Sequence, residues 1–408
     1  MPEPKQKSQT HLTFKGNRGL GRHGWLRLTP AYSVQMVEQI LDSGAVPGGP
    51  VLDPFCGSGT TALVCAERGV RADTTDINRF LLWLASAKAR DYSVSERKSF
   101  QEGAVWVERA LSRARSSPEW VPPLYKIEKW WSPGTLAGLS RGLSAIERLE
   151  RDEPGNAIDL LKVAFCRALI ARAHVSFGHQ SMSFRRAEAP IDEVQALKAA
   201  WREAVTAIAE GAERPVTATP RALHCDAREL EQRLSPRTYR AVITSPPYPN
   251  RMSYVRELRP YMYWLRYLDS GKGAGELDWQ AIGGTWGTAT SNLSKWQPDT
   301  AAHVPFPGFE RRILPAIRRE SPLLASYVHK YFEDMLRHCE SVQRLLLPGA
   351  TVHYIVGNSK FYDVLLPVER IFAALFAAMG FRKARVRAIR KRSSKKELFE
   401  FVVSAEKA

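Results

Sequence analysis

A glycine-containing loop between a short apolar run and a helical segment is the feature of this sequence that most constrains its fold. The apolar pair at 51–52 leads into Asp-Pro-Phe-Cys-Gly-Ser-Gly-Thr-Thr at 53–61, and residues 61–68 have a helical pattern. Residues 70–76 then predict a strand and residues 81–89 a second helix. Because strands that alternate with helices pair in parallel, this order predicts a doubly wound, mostly parallel α/β sheet.

The residue types in this loop suit a nucleoside ligand. Gly57 and Gly59 permit a tight turn and a close approach of the backbone to a ligand. The helix that follows presents free N–H groups, which favour an anionic group. Asp76 ends the next strand, 17 residues after Gly59, where a carboxylate can accept both hydroxyls of a ribose.

Other ligands fit the same glycines. Gly57, Gly59 and Ala62 also satisfy G-x-G-x-x-A, so an enzyme that uses a nicotinamide cofactor is the first alternative. A phosphate-binding P-loop is disfavoured because no Gly-Lys-Ser/Thr follows. A glycine turn without any ligand is the structural alternative.

A second motif, Ser245-Pro246-Pro247-Tyr248, follows an apolar run at 241–244 that predicts a buried strand. The two prolines fix the local backbone. The Pro246 carbonyl and the Ser245 hydroxyl can then accept hydrogen bonds from the two hydrogens of an exocyclic amine and aim its lone pair at an electrophile. Tyr248 offers an aromatic face on which an extruded base can stack. A rigid turn or a proline-rich recognition segment is the alternative interpretation.

The run Asp53 to Thr61 resembles the cofactor motif of amino-methyltransferases that use S-adenosylmethionine. The resemblance implies that Asp53 and Gly57 face the methionine end of the cofactor, that Asp76 binds its ribose, and that Asp226 accepts from the adenine amine. The segments His23-Gly24 and Tyr32-Ser33 resemble the motif that precedes it in this family. The resulting cofactor-binding set is Tyr32, Asp53, Phe55, Gly57, Gly59, Thr60, Thr61, Asp76 and Asp226.

The Ser-Pro-Pro-Tyr loop resembles the catalytic motif of cytosine-N4 DNA methyltransferases, with Ser245, Pro246, Pro247 and Tyr248 as the catalytic residues. Related adenine-N6 enzymes usually carry Asp at the first position, and RNA guanine-N2 enzymes Asn or Asp, so Ser245 favours cytosine N4. Both of these remain alternatives, as does a catalytically silent nucleic-acid-binding subunit. A cytosine-C5 mechanism is disfavoured because the nearest cysteine, Cys225, precedes the strand.

The family resemblance also implies partners and a location. The substrate would be double-stranded DNA with the target base flipped out, and the chain would be the modification component of a restriction or defence system. A cognate restriction nuclease is then a candidate partner, and the prokaryotic cytoplasm the expected location.

The charge of the chain agrees with a polyanionic partner. Its formal net charge is +17, and nine of the fifteen residues at 382–396 are basic. Arg251 and Arg256 follow the second motif directly. A solvated edge strand protected by basic residues is the alternative interpretation of the basic run. The candidate DNA-binding residues are Arg251, Arg256, Arg385, Arg387, Arg390, Lys391 and Arg392.

Several classes of protein are disfavoured. The five cysteines are scattered and never in C-x-x-C spacing, which argues against a disulfide framework and against a zinc site, and we expect no metal. Residues 1–24 lack the apolar region of a signal peptide. The most apolar stretch, 365–379, is too short and too polar to span a membrane.

We therefore expect a Rossmann-like methyltransferase sheet with a helical insertion and a loop-rich target-recognition segment. Trp130-Trp131 and Arg185-Arg186 make the insertion the second candidate for target recognition. The expected segments are a flexible basic arm (1–24), the cofactor-binding half (25–94), the helical insertion (95–215), the catalytic part (216–269), the target-recognition segment (270–325), and the rest of the sheet with a basic hairpin (326–408).

Overall fold

The computed structural model describes most of the chain. The described residues are 13, 16–28, 31–44, 46–112, 120–176, 183–184, 192–392 and 397–408. Some basic residues of the expected arm, of the insertion and of the basic run at 382–396 lie outside them: Lys5, Lys7, Lys15, Arg185, Arg186, Lys395 and Lys396.

A seven-stranded sheet forms the centre of the molecule. The strands of the chain are β1 (Val51–Asp53), β2 (Ala72–Asp76), β3 (Val175–Ser176), β4 (Ser183–Phe184), β5 (Arg221–His224), β6 (Tyr239–Thr244), β7 (Leu346–Gly357), β8 (Ser359–Phe361), β9 (Val364–Leu366), β10 (Phe381–Lys391) and β11 (Phe399–Lys407). The central sheet has the order β10-β11-β7-β6-β1-β2-β5, while β3–β4 and β8–β9 form two small pairs.

The strand directions confirm the predicted fold class. Strands β5, β2, β1, β6 and β7 are mutually parallel, and β11 is antiparallel to both β7 and β10. The sheet is therefore a mostly parallel, Rossmann-like α/β sheet. From β1 the chain moves to β2 on one side, and β6 lies on the other. Ligands of such sheets bind where the strand order reverses, beyond the carboxyl ends of the strands.

Helices cover the sheet and build the insertion. They are α1 (Val34–Asp42), α2 (Thr60–Glu67), α3 (Arg79–Ala89), α4 (Val94–Leu111), α5 (Pro133–Asp152), α6 (Asn156–Ala171), α7 (Glu193–Ala212), α8 (Tyr254–Trp264), α9 (Gly271–Gln280), α10 (Thr288–Lys295), α11 (Leu314–Glu320), α12 (Pro322–Leu345) and α13 (Val368–Ala378). Short 3₁₀ turns occur at Gly16–Gly19, Gly21–Gly24, Ile127–Lys129 and Leu230–Gln232.

The helices α4 to α7, between β2 and β5, pack against the element that follows the second motif. Trp264, at the end of α8, is fully buried and makes edge contacts with Trp131 and Phe165 of the insertion at ring-centroid distances of 5.7 and 5.6 Å. Aromatic pairs at such distances stabilise the core beyond the burial of their area. The insertion thus supports α8 from outside the sheet.

The described part of the expected flexible arm is ordered, which corrects that prediction. Residues 16–24 form two 3₁₀ turns, and the Arg22 side chain is 1% exposed. Its guanidinium donates to the carbonyls of Gly211 and Ala212 at the end of α7 and of Lys88 in the last turn of α3. Helix ends leave carbonyls without partners, and a buried arginine satisfies them.

Residues 270–325, expected to be loop-rich, instead contain α9, α10, α11 and a π-helical turn at Phe309–Ile313. The sequence gives little helical signal here because Gly271, Gly273 and Gly275 lower helix propensity in α9. Burial compensates, since Ala274 and Gly275 are among the buried residues of this helix.

Within the described part of the chain, no helix is both long enough and apolar enough to cross a lipid bilayer.

Candidate cofactor and catalytic site

The two motifs meet at the carboxyl ends of neighbouring strands. β1 ends at Asp53 and β6 at Thr244, and the two strands pair in parallel. The Thr244 hydroxyl donates to Asp53 Oδ1 at 2.6 Å. A direct side-chain hydrogen bond therefore joins the glycine loop to the start of the Ser-Pro-Pro-Tyr loop, at the point where the strand order reverses.

Asp53 is a buried carboxyl group with several donors around it. Besides Thr244, it accepts from the Tyr32 hydroxyl and from the Phe55 backbone N–H, each at 3.2 Å. Burial raises the pKa of Asp53 to about 7, although these hydrogen bonds act in the opposite direction. Asp53 is thus a group whose charge changes close to neutral pH.

Three further residues of the predicted cofactor set contribute to the inside of the loop. The Tyr32 hydroxyl is in hydrogen-bond contact with Thr61 as well as with Asp53, and Thr61 Oγ1 donates to the Ile243 carbonyl at 3.1 Å. Thr60 Oγ1 and Ser58 Oγ share a hydrogen bond of 3.0 Å. The side chains of Tyr32, Thr60 and Thr61 are buried, so they act as the support of the loop.

The two glycines of the loop have left-handed backbone conformations, with φ of +50° at Gly57 and +75° at Gly59. At Gly59 a Cβ atom would lie 2.7 Å from the Ala85 Cβ and 3.0 Å from its Cα. Real Cβ atoms do not approach backbone this closely, so Gly59 allows α2 to begin against α3. The amide of Gly57 donates to Asp76 Oδ2 at 3.1 Å.

Asp76 lies at the end of β2 and is partly exposed. Its other oxygen, Oδ1, accepts from the Asn78 backbone N–H at 2.9 Å. Each carboxylate oxygen has two lone pairs, so both retain capacity for a further donor such as a ribose hydroxyl. Burial raises the pKa of Asp76 to about 6.

Asp226, the predicted acceptor of the adenine amine, lies beside an arginine. Arg228 donates to both of its oxygens, from Nη2 to Oδ2 at 2.6 Å and from Nε to Oδ1 at 3.0 Å, and also reaches Asp334. Burial alone would raise the pKa of Asp226, but the Arg228 guanidinium holds it below its usual range. The carboxylate therefore already has an internal cationic partner.

His338 was not found by the sequence analysis and lies at this end of the site. It is fully buried, its Nδ1–H donates to the Ala227 carbonyl at 2.8 Å, and Nε2 accepts from the Tyr354 hydroxyl at 2.8 Å. Its ring lies 4.7 Å from the ring of Phe55. Burial lowers the pKa of His338 to about 4, so it is a neutral spacer between Phe55 and the loop after β5.

Lys88 was also missed, since a lysine late in a helix gives no sequence signal. It is 1% exposed, and its ammonium donates to the Ser58 carbonyl of the glycine loop at 2.8 Å. Burial lowers the pKa of Lys88 to about 8. The side chain thus supports the glycine loop from α3.

The Ser-Pro-Pro-Tyr loop is held by three neighbouring elements. Ser245 Oγ donates to the Ile355 carbonyl of β7 at 3.0 Å, and the Tyr331 hydroxyl of α12 donates to the Pro247 carbonyl at 2.7 Å. The backbone N–H of Tyr248 donates to the Tyr254 hydroxyl of α8 at 3.3 Å. Because the Ser245 hydrogen is used in this way, its lone pairs can accept from an amine.

Tyr248 is half-buried and makes its contacts with the far end of the chain. Its hydroxyl donates to Glu400 Oε1 of β11 at 2.8 Å, and the Cζ atom of Arg392 lies 4.9 Å from its ring centroid. Burial raises the pKa of the Tyr248 hydroxyl well above its usual value. The phenol therefore keeps its proton.

The candidate DNA-binding residues divide into two groups. Arg251, Arg385, Arg387 and Lys391 are exposed, and Arg256 is partly exposed on α8. Arg390 instead pairs with Glu400 at 2.8 Å, and Arg392 donates to the Asn358 carbonyl at 2.8 Å. The guanidinium groups of these two arginines have partners within the protein, and their contact with DNA stays a prediction.

No group of three or more His, Cys, Asp or Glu side chains in the described ranges has the arrangement of a metal site.

Known proteins resemble parts of this chain. A family model described as DNA methylase, of the N6/N4 methyltransferase type, matches residues 4–86. The type II methyltransferase M.AvaI of Nostoc sp. is 22% identical over 142 residues, which are 35% of this chain and 30% of that protein. M.MjaII of Methanocaldococcus jannaschii is 31% identical over 97 residues, 24% of this chain and 18% of its own length.

Among solved structures, the rRNA methyltransferase aviRa from Streptomyces viridochromogenes aligns with 92% of this chain and 86% of its own, with 13% identity and a TM-score of 0.27. The sequence matches span less than a third of the lengths of the curated relatives M.AvaI and M.MjaII. Residues 4–86 contain the glycine loop and Asp76. Over the residues that they cover, the sequence matches are to DNA methyltransferases of the N6/N4 type and to type II methyltransferases.

Proposed function

We propose that this protein is a DNA methyltransferase that transfers the methyl group of S-adenosylmethionine to the exocyclic N4 amine of cytosine. The observation that carries the proposal is the hydrogen bond between Thr244 and Asp53. It joins the end of the strand before the Ser-Pro-Pro-Tyr loop to the end of the strand before the glycine loop. A cofactor on one loop and a base on the other would therefore meet at one edge of the sheet.

The residues of the glycine loop suit S-adenosylmethionine, which supplies an electrophilic methyl group on a sulfonium when bound. The partly exposed Asp76 would accept from the ribose hydroxyls, and the start of α2 after Gly59 would receive the carboxylate of the methionine end. The Phe55 ring beside His338 would form one wall for the adenine. Asp226 would accept from the adenine amine through Oδ2, because Arg228 places two donors on Oδ1 and only one on Oδ2.

The target amine would be prepared by the second loop. The lone pair of an exocyclic amine is delocalised into the ring, so the amine is a weak nucleophile. The Pro246 carbonyl and the Ser245 oxygen would accept its two hydrogens and make the nitrogen more tetrahedral. The new N–C bond would form as the C–S bond of the donor breaks and a thioether leaves, and the cationic amine would then release one proton to water. Alignment of this kind is worth up to roughly 7–11 kcal/mol of the barrier.

The exposed basic residues would position the DNA. Arg251, Arg385, Arg387 and Lys391 are available for phosphate contacts, which fix the register of a protein on a duplex without reading its sequence. The target cytosine would be flipped out of the stack and placed on Tyr248. In this proposal the chain is the modification component of a restriction or defence system in a prokaryotic cytoplasm, with a cognate nuclease as its expected partner.

Product identification tests the proposal. The purified protein is incubated with unmethylated genomic DNA and S-adenosylmethionine, and the digested nucleosides are identified by mass spectrometry. We expect N4-methylcytosine with the wild type, none with Ser245→Ala, and an unchanged yield with Ser235→Ala, an exposed serine before the amino end of β6, at the opposite edge of the sheet. N6-methyladenine would keep the reaction and contradict the choice of base. Absence of any product on DNA would overturn the proposed function.

A further inference from the structure

Two residues of the hairpin made of β10 and β11 contact the catalytic loop. Tyr248 donates its hydroxyl to Glu400 of β11, and the Arg392 guanidinium, directly after β10, lies over its ring. Glu400 and Arg392 lie 152 and 144 positions from Tyr248 in the sequence. The hairpin made of β10 and β11 therefore reaches the residue on which the target base is proposed to stack.

Glu400 is held as a charged acceptor. Arg390 Nε donates to its Oε2 at 2.8 Å while the Tyr248 hydroxyl donates to its Oε1. The side chains of Glu400 and Arg390 are only 10% and 19% exposed. A shielded ion pair is weakly screened by water, and hydrogen bonds to a charged acceptor are stronger than neutral ones. The phenol oxygen of Tyr248 is thereby fixed in one position.

Arg392 is fixed at both ends. Its backbone N–H donates to the Leu398 carbonyl at 2.8 Å, and its Nη1 donates to the Asn358 carbonyl at 2.8 Å. Asn358 in turn donates to the Glu397 carbonyl at 2.8 Å and accepts from the Phe399 N–H at 2.9 Å. The guanidinium above the Tyr248 ring is thus part of the closed end of the hairpin.

Gly357 shows how closely these groups pack. A Cβ atom at this position would lie 2.9 Å from Tyr248 Cε2 and still closer to Arg392 Nη1. Such distances leave no room for a side chain. The ring of Tyr248, the guanidinium of Arg392 and the backbone of β7 therefore form one packed unit.

We propose that Glu400, Arg390 and Arg392 are positioning residues for Tyr248. The end of the basic strand β10 would hold the catalytic loop in place, and the exposed residues of the same strand would contact DNA. The inference rests on the proposed function, because it assigns these residues to the same site. The Tyr248 ring is held in place by the hydrogen bond that its hydroxyl donates to the Glu400 carboxylate. Loss of the positioning contacts should lower kcat and leave cofactor affinity and the salt dependence of DNA binding unchanged.

A double-mutant cycle between Tyr248→Phe and Glu400→Ala measures this coupling. We expect Glu400→Ala to lower the single-turnover rate by roughly 10- to 100-fold in the wild-type background, as misplacement of a reacting group does. In the Tyr248→Phe background, where the hydroxyl is already absent, the same change should cost little. Glu400→Gln, which keeps an acceptor and the shape, should restore part of the rate.

Glu406→Ala is the matched control, since Glu406 lies on the same strand and pairs with Lys383 at 2.8 Å. It should leave the rate unchanged. Arg392→Gln should lower the rate and leave the slope of DNA affinity against salt unaltered. If Glu400→Ala does not fold, Glu400→Gln completes the cycle with Tyr248→Phe.

Equal losses from the Glu400 change in both backgrounds would overturn the inference, as would a fall in the salt slope with Arg392→Gln. If the variants gave either result and the wild-type protein still methylated DNA, the proposed function would stand. Wild-type protein that makes no methylated nucleoside would overturn the proposed function and this inference together.

Discussion

The glycine loop and the surroundings of Tyr248 are built in opposite ways. In the glycine loop, Gly57, Asp76 and Asn78 bond to one another within about twenty residues of chain, largely through backbone amides. The side chain of Tyr248 instead has charged partners from the last fifty residues of the chain. The contacts of Gly57 and Asp76 are therefore local in sequence, whereas those of the Tyr248 side chain depend on a distant hairpin. Cofactor binding and base positioning should be separable by mutation.

Removal of the Tyr248 side chain should give the largest effect. Tyr248→Ala deletes the proposed stacking face and the hydroxyl that donates to Glu400, and we expect a loss of about 100-fold or more in the single-turnover rate. The affinity for S-adenosylmethionine, measured by calorimetry, should stay within the error of the wild type. A parallel loss of cofactor affinity would show that the two regions are not separable.

Substitution in the glycine loop should instead lower the affinity for the cofactor. Gly59→Ala combines a left-handed backbone with a contact on Ala85, and strain of this kind costs about 1–3 kcal/mol, so cofactor affinity should fall roughly 10- to 100-fold. Gly44→Ala is the matched control, because Gly44 has φ of +68° and no described atom lies within 4 Å of its Cβ position. Equal effects of both changes on cofactor affinity would contradict a local role of Gly59.

Much of the fold and of the glycine loop could be predicted because the signals are contiguous. A strand, a glycine turn, a helix and an acidic strand end follow one another within 26 residues, and their order dictates a parallel sheet. The Ser-Pro-Pro-Tyr loop is likewise one uninterrupted motif. Lys88 and His338 gave no signal because their role comes from burial against a loop that lies elsewhere in the sequence.

The sequence could not show which arginines of the basic run pair within the protein and which are exposed, because this depends on the register of β10 and β11. Strands β10 and β11 pair Ala388 with Phe401 and Arg390 with Glu400, with an irregularity between the two pairs. Since side chains alternate between the faces of a strand, an extra residue changes which arginines share a face. Composition predicts a basic hairpin. The irregularity places Arg390 opposite Glu400, whereas Arg385 and Arg387 lie opposite uncharged residues of β11 and stay exposed.

Cofactor binding should weaken in acid because Asp76 must be ionised to accept from two hydroxyls. Its pKa is raised by burial from 3.8 to about 6, so the folded protein keeps a proton that the unfolded chain loses in this range. Without cofactor, the contribution of Asp76 to the free energy of unfolding is present below 3.8 and lost as the pH rises through about 6. Cofactor binding shows the opposite trend, falling about ten-fold per pH unit below the pKa.

Calorimetry between pH 5 and 8 measures this dependence. Asp76→Asn should weaken cofactor binding at neutral pH and remove the step in cofactor affinity near pH 6. The pH dependence that remains would then come from Asp53, whose pKa is about 7. An unaltered step in this variant would exclude Asp76 as the titrating group.

Lys88→Met tests the support beneath the glycine loop. It removes the hydrogen bond to Ser58 and should raise KM for S-adenosylmethionine about ten-fold, the equivalent of one charged hydrogen bond, with kcat nearly unchanged. Since the pKa of Lys88 is lowered to about 8, the folded amine is neutral above that pH, and wild-type stability should rise between about 8 and 10.5. The variant should lack this rise. Lys98→Met, at an exposed position of α4, should change neither quantity.

Arg387→Ala should have the smallest effect and sharpens the division of the basic strand. Arg387 is exposed on the edge strand β10, so its proposed phosphate contact adds to affinity mainly by releasing counterions. The slope of log affinity against log salt should fall by about 0.9, with a loss of about five-fold at physiological salt. The single-turnover rate at saturating DNA should stay at the wild-type value.

Arg392→Gln should lower the single-turnover rate and leave the salt slope of DNA affinity unchanged, because the Arg392 guanidinium contacts Tyr248 and Asn358. If both variants changed the slope equally, the basic strand would be one continuous phosphate-binding surface, and Tyr248 would have to be held by Glu400 alone.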